Sequence, residues 1–394
     1  MALDVAAVQR AVRAQGLDGW LLYDFHGSNP IAARLAGLTG GGHMTTRRWY
    51  YLIPTDGPPR GLVHAIERHN LDALPGDKVV YAGRQELDAG LTRLLHGVKQ
   101  VAMEYSPDCA IPYLSRVDAG TAEAIRRRGV EIVSSGDLVQ QFEAAWDLAQ
   151  LATHRTASEA LYRIKDRAFE AAAAALRDRR ALTEYELQQQ MVGWFGEEGL
   201  ISDSAPVVAI GANAGNPHYL PTAASCRPIV ADEVLLLDLW GKLEAPGAVF
   251  ADITWVGATG RTVPDAAARA FDAAARARDA AVALVEDAAK RGRDLRGWEV
   301  DRAARTVLEQ GGYGAHILHR TGHSLGETVH GNGVHLDDYE THDDRRILPG
   351  TGFTIEPGLY FDTYGVRTEI NMYRDEHDAR VTGPRQKEII TLGD

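Results

Sequence analysis

Glu233-Val-Leu-Leu-Leu-Asp238-Leu-Trp240 is an apolar run that carries an acid close to its end. Four consecutive aliphatic residues are typical of a strand that is buried on both faces. A second apolar segment, Val249-Phe-Ala-Asp252-Ile-Thr-Trp-Val256, contains another acid, and Pro246-Gly247 lies between the two segments. Because Pro-Gly is a strong turn signal, the two segments are predicted to form a hairpin. In that hairpin Asp238 and Asp252 are approximate cross-strand neighbours, with Cβ atoms ~5 Å apart if they share a face.

The same construction recurs near the C-terminus. Two strand-like segments, Thr351-Gly-Phe-Thr-Ile-Glu356-Pro-Gly-Leu-Tyr360 and Gly365-Val-Arg-Thr-Glu369-Ile-Asn-Met-Tyr373, flank a short turn. The midpoint between Glu356 and Glu369 falls inside that turn, so these acids are also predicted to oppose each other across a hairpin. Period-two alternation places Arg367 on the same face as Glu369.

Opposed carboxylates on adjacent strands repel each other, by about 4 kcal/mol per pair at ~4 Å and an effective dielectric of ~20. Protonation, a neighbouring cation or a divalent metal would relieve that repulsion; alternatively, the acids of each hairpin simply face water. Four histidines lie within the seventeen residues from His319 to His335, and this cluster argues against the second interpretation. Four carboxylates and one imidazole would suit two ions such as manganese, cobalt or zinc. Carboxylates that bridge both ions would hold them ~3.5–4 Å apart, as in two-metal hydrolytic sites.

Helices and strands alternate along this part of the chain. A stretch rich in alanine and without Gly or Pro predicts one long helix, and Thr183 with Glu186 forms a capping box that begins the next. The predicted segments, in order, are helical over 154–179 and from Thr183, strand-rich over 203–257, helical over 264–291 (begun by Pro264) and over 297–310, and strand-rich over 313–385. This order predicts an α+β fold and is compatible with an internal duplication of two helices plus a sheet.

The first ~150 residues are predicted to form a smaller α/β domain. Apolar residues at helical spacing predict a helix over 4–15. Short apolar runs predict strands at Trp20–Tyr23, Trp49–Ile53, Lys78–Tyr81 and Gln100–Met103. The run Gly40-Gly-Gly-His43 is interpreted as a plain turn, and the domain boundaries are placed at 1–150 and 151–394.

Composition excludes several classes of protein. The formal net charge of −12 opposes binding to a nucleic-acid backbone, and no apolar run approaches the ~20 residues of a membrane span. Cys109 and Cys226 lack the spacing of a disulfide framework or a thiolate zinc site and fit a reducing compartment. The start, Met1-Ala-Leu-Asp-Val5, is not typical of a signal peptide. We therefore expect a cytoplasmic protein without nucleic-acid or membrane partners.

A rival interpretation concerns Gly322-His-Ser-Leu-Gly326, which matches the G-x-S-x-G nucleophile elbow of α/β-hydrolases with Ser324 as the nucleophile. The elbow requires a helix directly after the serine, but the residues from Glu327 onwards are β-branched and interrupted by glycines. Seventy residues after Ser324 are few for the rest of a catalytic triad and its sheet. A serine hydrolase therefore stays as an alternative hypothesis.

Taken together, the motifs resemble those of the creatinase/aminopeptidase P/prolidase family of pita-bread metallopeptidases. Besides the two aspartate strands, the matching segments are Gly322-His-Ser-Leu-Gly326, Val329-His330, Thr354-Ile-Glu-Pro-Gly-Leu-Tyr360 and Val366-Arg-Thr-Glu369. The resemblance covers about 150–394, and Thr46-Arg-Arg-Trp-Tyr-Tyr-Leu-Ile-Pro54 extends it towards the N-terminus. It implies a C-terminal pita-bread domain preceded by a smaller creatinase-like α/β domain.

The resemblance also implies roles for individual residues. The implied metal ligands are Asp238, Asp252, His323, Glu356 and Glu369. Glu356 would also take the proton of the attacking water, and His330 would contact the scissile carbonyl. His218, from the loop before the first ligand strand, would assist it. Arg367 would anchor the substrate, and His319 matches a further site histidine found in some members.

The implied activity is hydrolysis of Xaa-Pro bonds in short peptides with two divalent metal ions, manganese being favoured over cobalt or zinc. An Xaa-Pro dipeptidase (prolidase) is slightly favoured over an aminopeptidase P because the N-terminal domain is compact, and the relatives imply a homodimer. The chain departs from the family pattern in a longer Asp238–Asp252 hairpin, in Gly331-Asn-Gly333 after His330, and in Ile370 after Glu369. A catalytically silent pita-bread binding protein is a further alternative, although all five implied ligands are retained.

Overall fold

The computed structural model describes residues 3–39 and 44–393, so the glycine run at 40–43 lies outside the described residues. The chain divides into two compact units, Met1–Glu143 and Ala144–Asp394. None of the helices in the described ranges is both long and apolar enough to cross a membrane.

The N-terminal unit consists of five helices and six strands within the described ranges. The helices are α1 (Val5–Ala14), α2 (Pro30–Leu35), α3 (Arg84–Leu94), α4 (Ala119–Arg126) and α5 (Gly136–Val139). The strands are β1 (Gly19–Asp24), β2 (Trp49–Pro54), β3 (Arg60–His64), β4 (Asp77–Tyr81), β5 (Gln100–Met103) and β6 (Glu131–Ser134). They form one sheet of order β4-β3-β2-β1-β5-β6, in which β1, β2 and β3 pair antiparallel and the other pairs are parallel. Because β1 and β2 are buried along their whole length, their sequences are nearly continuous apolar runs.

The described part of the C-terminal unit contains two helix pairs, each followed by strands. The helices are α6 (Leu148–Arg177), α7 (Glu184–Glu197), α8 (Asp265–Lys290) and α9 (Gly297–Gln310). The strands are β7 (Leu200–Ile201), β8 (Val207–Ile210), β9 (Val234–Leu243), β10 (Ala251–Ala258), β11 (Ser324–Leu325), β12 (Gly352–Ile355), β13 (Gly358–Tyr360), β14 (Gly365–Arg367), β15 (Ile370–Arg374), β16 (Ala379–Val381) and β17 (Ile390–Thr391). One sheet runs β17-β10-β9-β7 with β8 also on β9, a second has the order β11-β12-β15-β16, and β13 pairs with β14. This is the predicted α+β arrangement.

The predicted helices agree with the structure apart from their ends. Helix α9 matches its predicted range, and Pro264 is the N-cap of α8 rather than its first helical residue. Helix α6 begins earlier than predicted, at Leu148, because the side chain of Asp147 caps it. The predicted capping box is present: the backbone N–H of Glu186 donates to Thr183 Oγ1 over 3.1 Å, and the N–H of Thr183 donates to Glu186 Oε2 over 2.8 Å.

Alternation along β9 and β10 brings the first two acids into the interior. The odd-numbered leucines of β9 pack against α6 and α7, whereas Val234 and Leu236 join the core formed with α8 and α9. Asp238 comes next on this second face. On β10, Ile253 faces α6 and α7, so Asp252 lies on the same face of the sheet as Asp238. Both aspartates are buried.

The register of the first hairpin differs from the prediction. Asp238 pairs with Thr254, and Asp252 pairs with Trp240, so the two aspartates are diagonal neighbours rather than directly opposed. The shift arises because the chain between β9 and β10 turns symmetrically about Pro246, one position later than the midpoint of the two acids. Diagonal neighbours on one face still lie within reach of a shared ligand.

The register of the second hairpin is as predicted. Ile355 of β12 pairs with Ile370 of β15, and Gly358 of β13 pairs with Arg367 of β14. The same register therefore continues through the interruption between these pairs, and it places Glu356 opposite Glu369. Both glutamates lie where this regular pairing is interrupted, and their backbone N–H groups donate instead to the carbonyl oxygens of Thr321 and Thr254.

The buried His154 of α6 predicts a pH dependence of stability. Its Nδ1 lies 2.8 Å from the carbonyl oxygen of Phe250, and its Nε2 lies 2.8 Å from Thr382 Oγ1. Burial lowers the pKa of His154 to about 4, and the charge of Arg155 acts in the same direction. In the unfolded chain the ring takes up a proton near pH ~6.5, so folding loses stability as the pH falls from there towards 4. We expect a loss of about 2 kcal/mol between pH 7.5 and 5.

The check is the free energy of unfolding in urea at both pH values. His154→Gln should be less stable at pH 7.5 but should lose about 2 kcal/mol less than the wild type on going to pH 5. His96→Gln, a change at an exposed histidine, is the matched control. Equal pH dependence in wild type and His154→Gln would contradict the prediction.

Candidate metal centre

Three of the predicted ligands converge in the interior of the C-terminal unit. Asp252, His323 and Glu369 each offer one ligand atom, and these atoms all lie within 4.8 Å of one another. All three residues are buried. They come from β10, from the residue before β11 and from the residue before β15, so the two hairpins and the histidine-rich segment meet here.

The imidazole of His323 presents a lone pair to two carboxylates. Its Nδ1 lies 3.1 Å from the carbonyl oxygen of Ser324, which can only accept, so Nδ1 carries the proton. Burial lowers the pKa of His323 and favours the neutral ring. Its Nε2 then faces Asp252 Oδ2 and Glu356 Oε1, each 3.5 Å away. The Nε2 lone pair and the two carboxylate oxygens repel each other unless a cation lies between them. A hydrogen bond from the other ring nitrogen to a backbone carbonyl oxygen, as Nδ1 makes here, is typical of histidines that bind metal.

Asp252 is held by its backbone rather than by its carboxylate. The side chain of Asn371 accepts from the backbone N–H of Asp252 over 2.9 Å and donates to the carbonyl oxygen of the same residue. Among the described residues, no group hydrogen-bonds Asp252 Oδ1, although this atom is buried. A buried carboxylate oxygen without a partner is costly, so the donor set fits a hard cation.

The pKa values of the buried acids also indicate a site for a cation. Burial raises the pKa of Asp252 well above its usual range, and the charges of Asp238 and Glu356 add to this effect. Burial likewise raises the pKa of Glu369, with further contributions from Asp252 and Glu356. Asp252 and Glu369 therefore hold their protons to a higher pH than exposed carboxyl groups do, and bound cations would relieve the repulsion between the charged forms. Carboxylates with one imidazole suit borderline and hard divalent metals.

Arg367 and Thr254 connect the fourth predicted ligand, Asp238, to this group. Arg367 forms an ion pair with Asp238 through Nη2, and its Nε donates to Thr254 Oγ1 over 2.9 Å. The hydroxyl of Thr254 in turn donates to Glu369 Oε2 over 2.6 Å. Asp238 is thus linked through Arg367 and Thr254 to Glu369, one of the three converged ligands, and a guanidinium neutralises its charge.

Thr354 connects the fifth predicted ligand. Its hydroxyl accepts from the backbone N–H of His323 over 2.9 Å and donates to Glu356 Oε1 over 3.1 Å. The backbone N–H of Thr354 donates to the carbonyl oxygen of His323 over 2.8 Å. One threonine therefore fixes the histidine and the glutamate relative to each other.

The sequence interpretation overlooked three residues that orient the acids. Thr254, Thr354 and Asn371 hydrogen-bond groups of the predicted ligands. Each of them lies two positions from an acid on the same strand or strand extension. Period-two alternation places such residues on the face of the acid, so this spacing is the signal that could have identified them.

The remaining predicted histidines occupy different positions. The ring of His330 lies against that of His323, edge to face, with centroids 4.4 Å apart. His319 Nδ1 lies 2.6 Å from the carbonyl oxygen of Arg320, so its Nε2 accepts from the hydroxyl of Tyr360 over 2.7 Å. The same hydroxyl accepts from Arg367 Nη1 over 3.1 Å.

His218 is not joined to the acids. It lies exposed on the connection between β8 and β9, and within the described residues its imidazole makes no hydrogen bond or ion pair. Its backbone N–H donates to Asn216 Oδ1 over 3.1 Å. His218 does not orient the acids, so any catalytic role of this residue depends on direct contact between its imidazole and the substrate.

The nucleophile elbow is not formed. Ser324 lies in the two-residue strand β11, is buried, and its Oγ accepts from the backbone N–H of Gly333 over 3.0 Å. The residues that follow β11 in the described part of the chain are bends, not a helix. The ring of His335 contacts the backbone of the serine: its Nδ1 accepts from the N–H of Ser324 over 3.1 Å. A strand followed by bends does not expose a serine for attack.

A sequence model of metallopeptidase family M24 matches residues 157–382, more than half of the chain. The chain belongs to metallopeptidase family M24. This membership agrees with the predicted resemblance and with the pita-bread arrangement of the C-terminal unit. The family residues matched include both acidic hairpins and the histidine-rich segment.

Curated relatives are peptidases. The chain is 27% identical to "Putative dipeptidase YkvY" of Bacillus subtilis over 266 residues, which are 67% of each protein. It is 31% identical to an Xaa-Pro dipeptidase of Lactobacillus helveticus over 175 residues, 44% of this chain and 43% of that protein. The aligned part thus spans less than half of the Lactobacillus protein.

Solved structures show that the M24 fold extends over the whole chain. Dipeptidase PepE from Mycobacterium ulcerans superposes with a TM-score of 0.70 at 22% identity, covering 100% of both chains. Prolidase from Thermococcus sibiricus gives a TM-score of 0.63 at 20% identity, covering 98% of both. At these identities the likeness establishes the fold.

Proposed function

We propose that this M24 member hydrolyses Xaa-Pro bonds of short peptides with two divalent metal ions. The observation that carries the proposal is the buried convergence of Asp252, His323 and Glu369. In addition, the buried Oδ1 of Asp252 accepts no hydrogen bond from any described residue. Asp238 and Glu356 complete the proposed ligand set through the network described above. The Xaa-Pro dipeptidase activity in the name of the Lactobacillus relative supports this substrate class.

In the proposed mechanism the protein orients donors and moves one proton. Divalent ions held by Asp238, Asp252, His323, Glu356 and Glu369 would supply Lewis acidity and make the attacking water more acidic. Glu356, whose Oε1 is fixed by Thr354, would take one proton from the water that attacks the carbonyl carbon of the Xaa-Pro bond. It would pass this proton to the proline nitrogen as the C–N bond breaks. His330 donates to the developing oxyanion, and His218 assists from its loop. Arg367 holds Asp238 in addition to anchoring substrate.

Proline explains why a dedicated enzyme is needed. Its ring fixes φ and removes the N–H that other peptidases bind, so the Xaa-Pro bond requires a site that does not depend on that donor. A dipeptidase is favoured over an aminopeptidase P, as the compact N-terminal unit suggests. We further propose manganese as the metal, with cobalt or zinc as alternatives, and a homodimer in the cytoplasm that binds no nucleic acid or membrane.

The test is a comparison of three substrates before and after chelation. Ala-Pro should be cleaved, a longer peptide that begins with Ala-Pro should be cleaved more slowly, and Ala-Leu should be left intact. Activity should disappear with a chelator and return with manganese or cobalt. Cleavage that survives complete removal of metal would overturn the proposal, and a fully metal-loaded protein without activity would indicate a binding protein.

His330→Ala separates substrate contact from metal binding. We expect kcat for Ala-Pro to fall by roughly 10²-fold, the scale for losing one oxyanion donor, while the metal content measured by atomic absorption stays at the wild-type level. His377→Ala, a change at an exposed histidine, is the control. Loss of metal from His330→Ala would contradict this division of roles.

A further inference from the structure

Glu184 is a buried acid that the proposed mechanism does not use. It is the first residue of α7, directly after the N-cap Thr183, and its side chain is fully shielded from solvent. The capping box of α7 is completed by Thr183 and Glu186 without it. The carboxylate of Glu184 is therefore available for contacts outside its own helix.

Those contacts hold the segment 210–227, which carries His218. Glu184 Oε1 accepts from the backbone N–H of Ile210 over 2.7 Å, and both carboxylate oxygens lie 3.0 Å from Asn213 Nδ2. Glu184 Oε2 accepts from the hydroxyl of Tyr219 and from the backbone N–H of Arg227, each over 2.6 Å. One side chain thus binds the beginning, the middle and the end of the segment.

The other side of this segment rests on the hairpin β13–β14. A Cβ added to Gly215 would lie 2.2 Å from the carbonyl oxygen of Phe361, and one added to Gly365 would lie 1.9 Å from the carbonyl oxygen of Ala214. Only glycine permits backbones to approach this closely. Since β14 ends at Arg367, the segment is held between Glu184 and the hairpin that carries the partner of Asp238.

We propose that Glu184 is a positioning residue for His218. It fixes Tyr219, the neighbour of His218, and both ends of the segment, so the imidazole reaches substrate from a restricted set of positions. This inference rests on the proposed function because it requires His218 to act on the substrate. Holding a group in place before reaction removes the entropic cost of ordering it during each turnover.

The hydrogen bonds require a carboxylate at this position. All four partners of Glu184 are donors: two backbone N–H groups, one amide nitrogen and one phenol hydroxyl. A glutamine of the same size would replace one acceptor oxygen by an NH₂ group and would oppose at least one of these donors. Glu184→Gln should therefore loosen the segment while it leaves the volume of the site unchanged.

The experiment is a double-mutant cycle of Glu184→Gln and His218→Ala on the metal-loaded full chain. We expect Glu184→Gln to lower kcat for Ala-Pro roughly 10-fold, the lower end of the effect of removing a side chain that orients a metal ligand. Addition of Glu184→Gln to His218→Ala should lower kcat no further, because the residue it positions is already absent. Metal content should stay at the wild-type level in all variants.

A second readout does not depend on activity. Amide hydrogen exchange in residues 211–227 should be faster in Glu184→Gln than in the wild type, whereas exchange in β9 and β10 should be unchanged. Glu104→Gln is the matched control, since Glu104 is a fully buried acid of the N-terminal unit that accepts from Trp20, Asn29 and Ser135. In a double variant, the fold-losses in kcat caused by Glu104→Gln and by His218→Ala should multiply, because the two residues act independently.

The outcomes separate the two proposals. If His218→Ala alone keeps the wild-type kcat, the assigned role of His218 is wrong, and the proposed role of Glu184 fails with it. If His218→Ala lowers kcat but the Glu184→Gln loss multiplies in the double variant, Glu184 is only structural and the inference is overturned. Should Glu184→Gln not fold, Tyr219→Phe removes one of the four donors and enters the same cycle with the same expected coupling.

Discussion

Glu369→Gln is expected to lower kcat/KM for Ala-Pro by more than about 10²-fold. Loss of a residue that only supports a metal ligand costs up to about 10²-fold, and loss of a ligand itself should cost more. The carboxylate of Glu369 belongs to the converged group and accepts from Thr254 Oγ1 over 2.6 Å. Glutamine keeps the volume but removes the charge that attracts a cation. Metal content, measured by atomic absorption after dialysis, should fall in parallel.

The same substitution should not lower the stability of the metal-free protein, although it lowers activity and metal content. Because burial and the neighbouring acids raise the pKa of Glu369, this acid costs the metal-free protein stability at any pH at which the unfolded chain ionises it. Metal-free Glu369→Gln should therefore be at least as stable as the wild type at pH 7. The advantage should shrink as the pH falls towards about 4 and should be absent below it, where both folded and unfolded states hold the proton. Glu376→Gln, at an exposed position, is the control. Wild-type metal content and rate in Glu369→Gln would refute the proposed metal centre.

Arg367→Met is expected to destabilise the metal-free protein by about 3–5 kcal/mol, the cost of leaving one member of a buried ion pair alone. Arg367 is buried, pairs with Asp238, and donates to Thr254 and Tyr360. The measurement is the free energy of unfolding in urea. Added manganese should restore more stability to this variant than to the wild type, because a bound cation would neutralise Asp238.

Two comparisons make this prediction specific. Addition of Asp238→Asn to Arg367→Met should recover part of the lost stability, since it removes the uncompensated charge. Arg276→Met breaks an exposed pair with Asp272, 63% and 68% exposed, and should cost no more than about 1 kcal/mol. A loss below about 1 kcal/mol in Arg367→Met would show that Asp238 is neutralised by other means.

Local sequence signals predicted the elements and the second hairpin. Helix α9 and the capping box of α7 follow from apolar spacing and from Thr183 with Glu186, which are properties of a few consecutive residues. The register through Glu356 and Glu369 was predictable because a short turn leaves little choice of pairing. The register of the first hairpin was less determined, since the longer connection around Pro246 allows a shift of two residues without exchanging the faces.

The sequence by itself placed the candidate ligands on two acidic hairpins and in a histidine-rich segment, because turn signals and period-two alternation are local properties. Only the tertiary structure decided how those residues are paired. Arg367 contacts Asp238 across 129 positions of sequence, and Thr254 contacts Glu369 across 115. Glu184 holds the segment of His218 from a separate helix. Residues so far apart in sequence become partners only when the elements that carry them pack together. No local pattern in the sequence indicates which donor will then meet which acceptor.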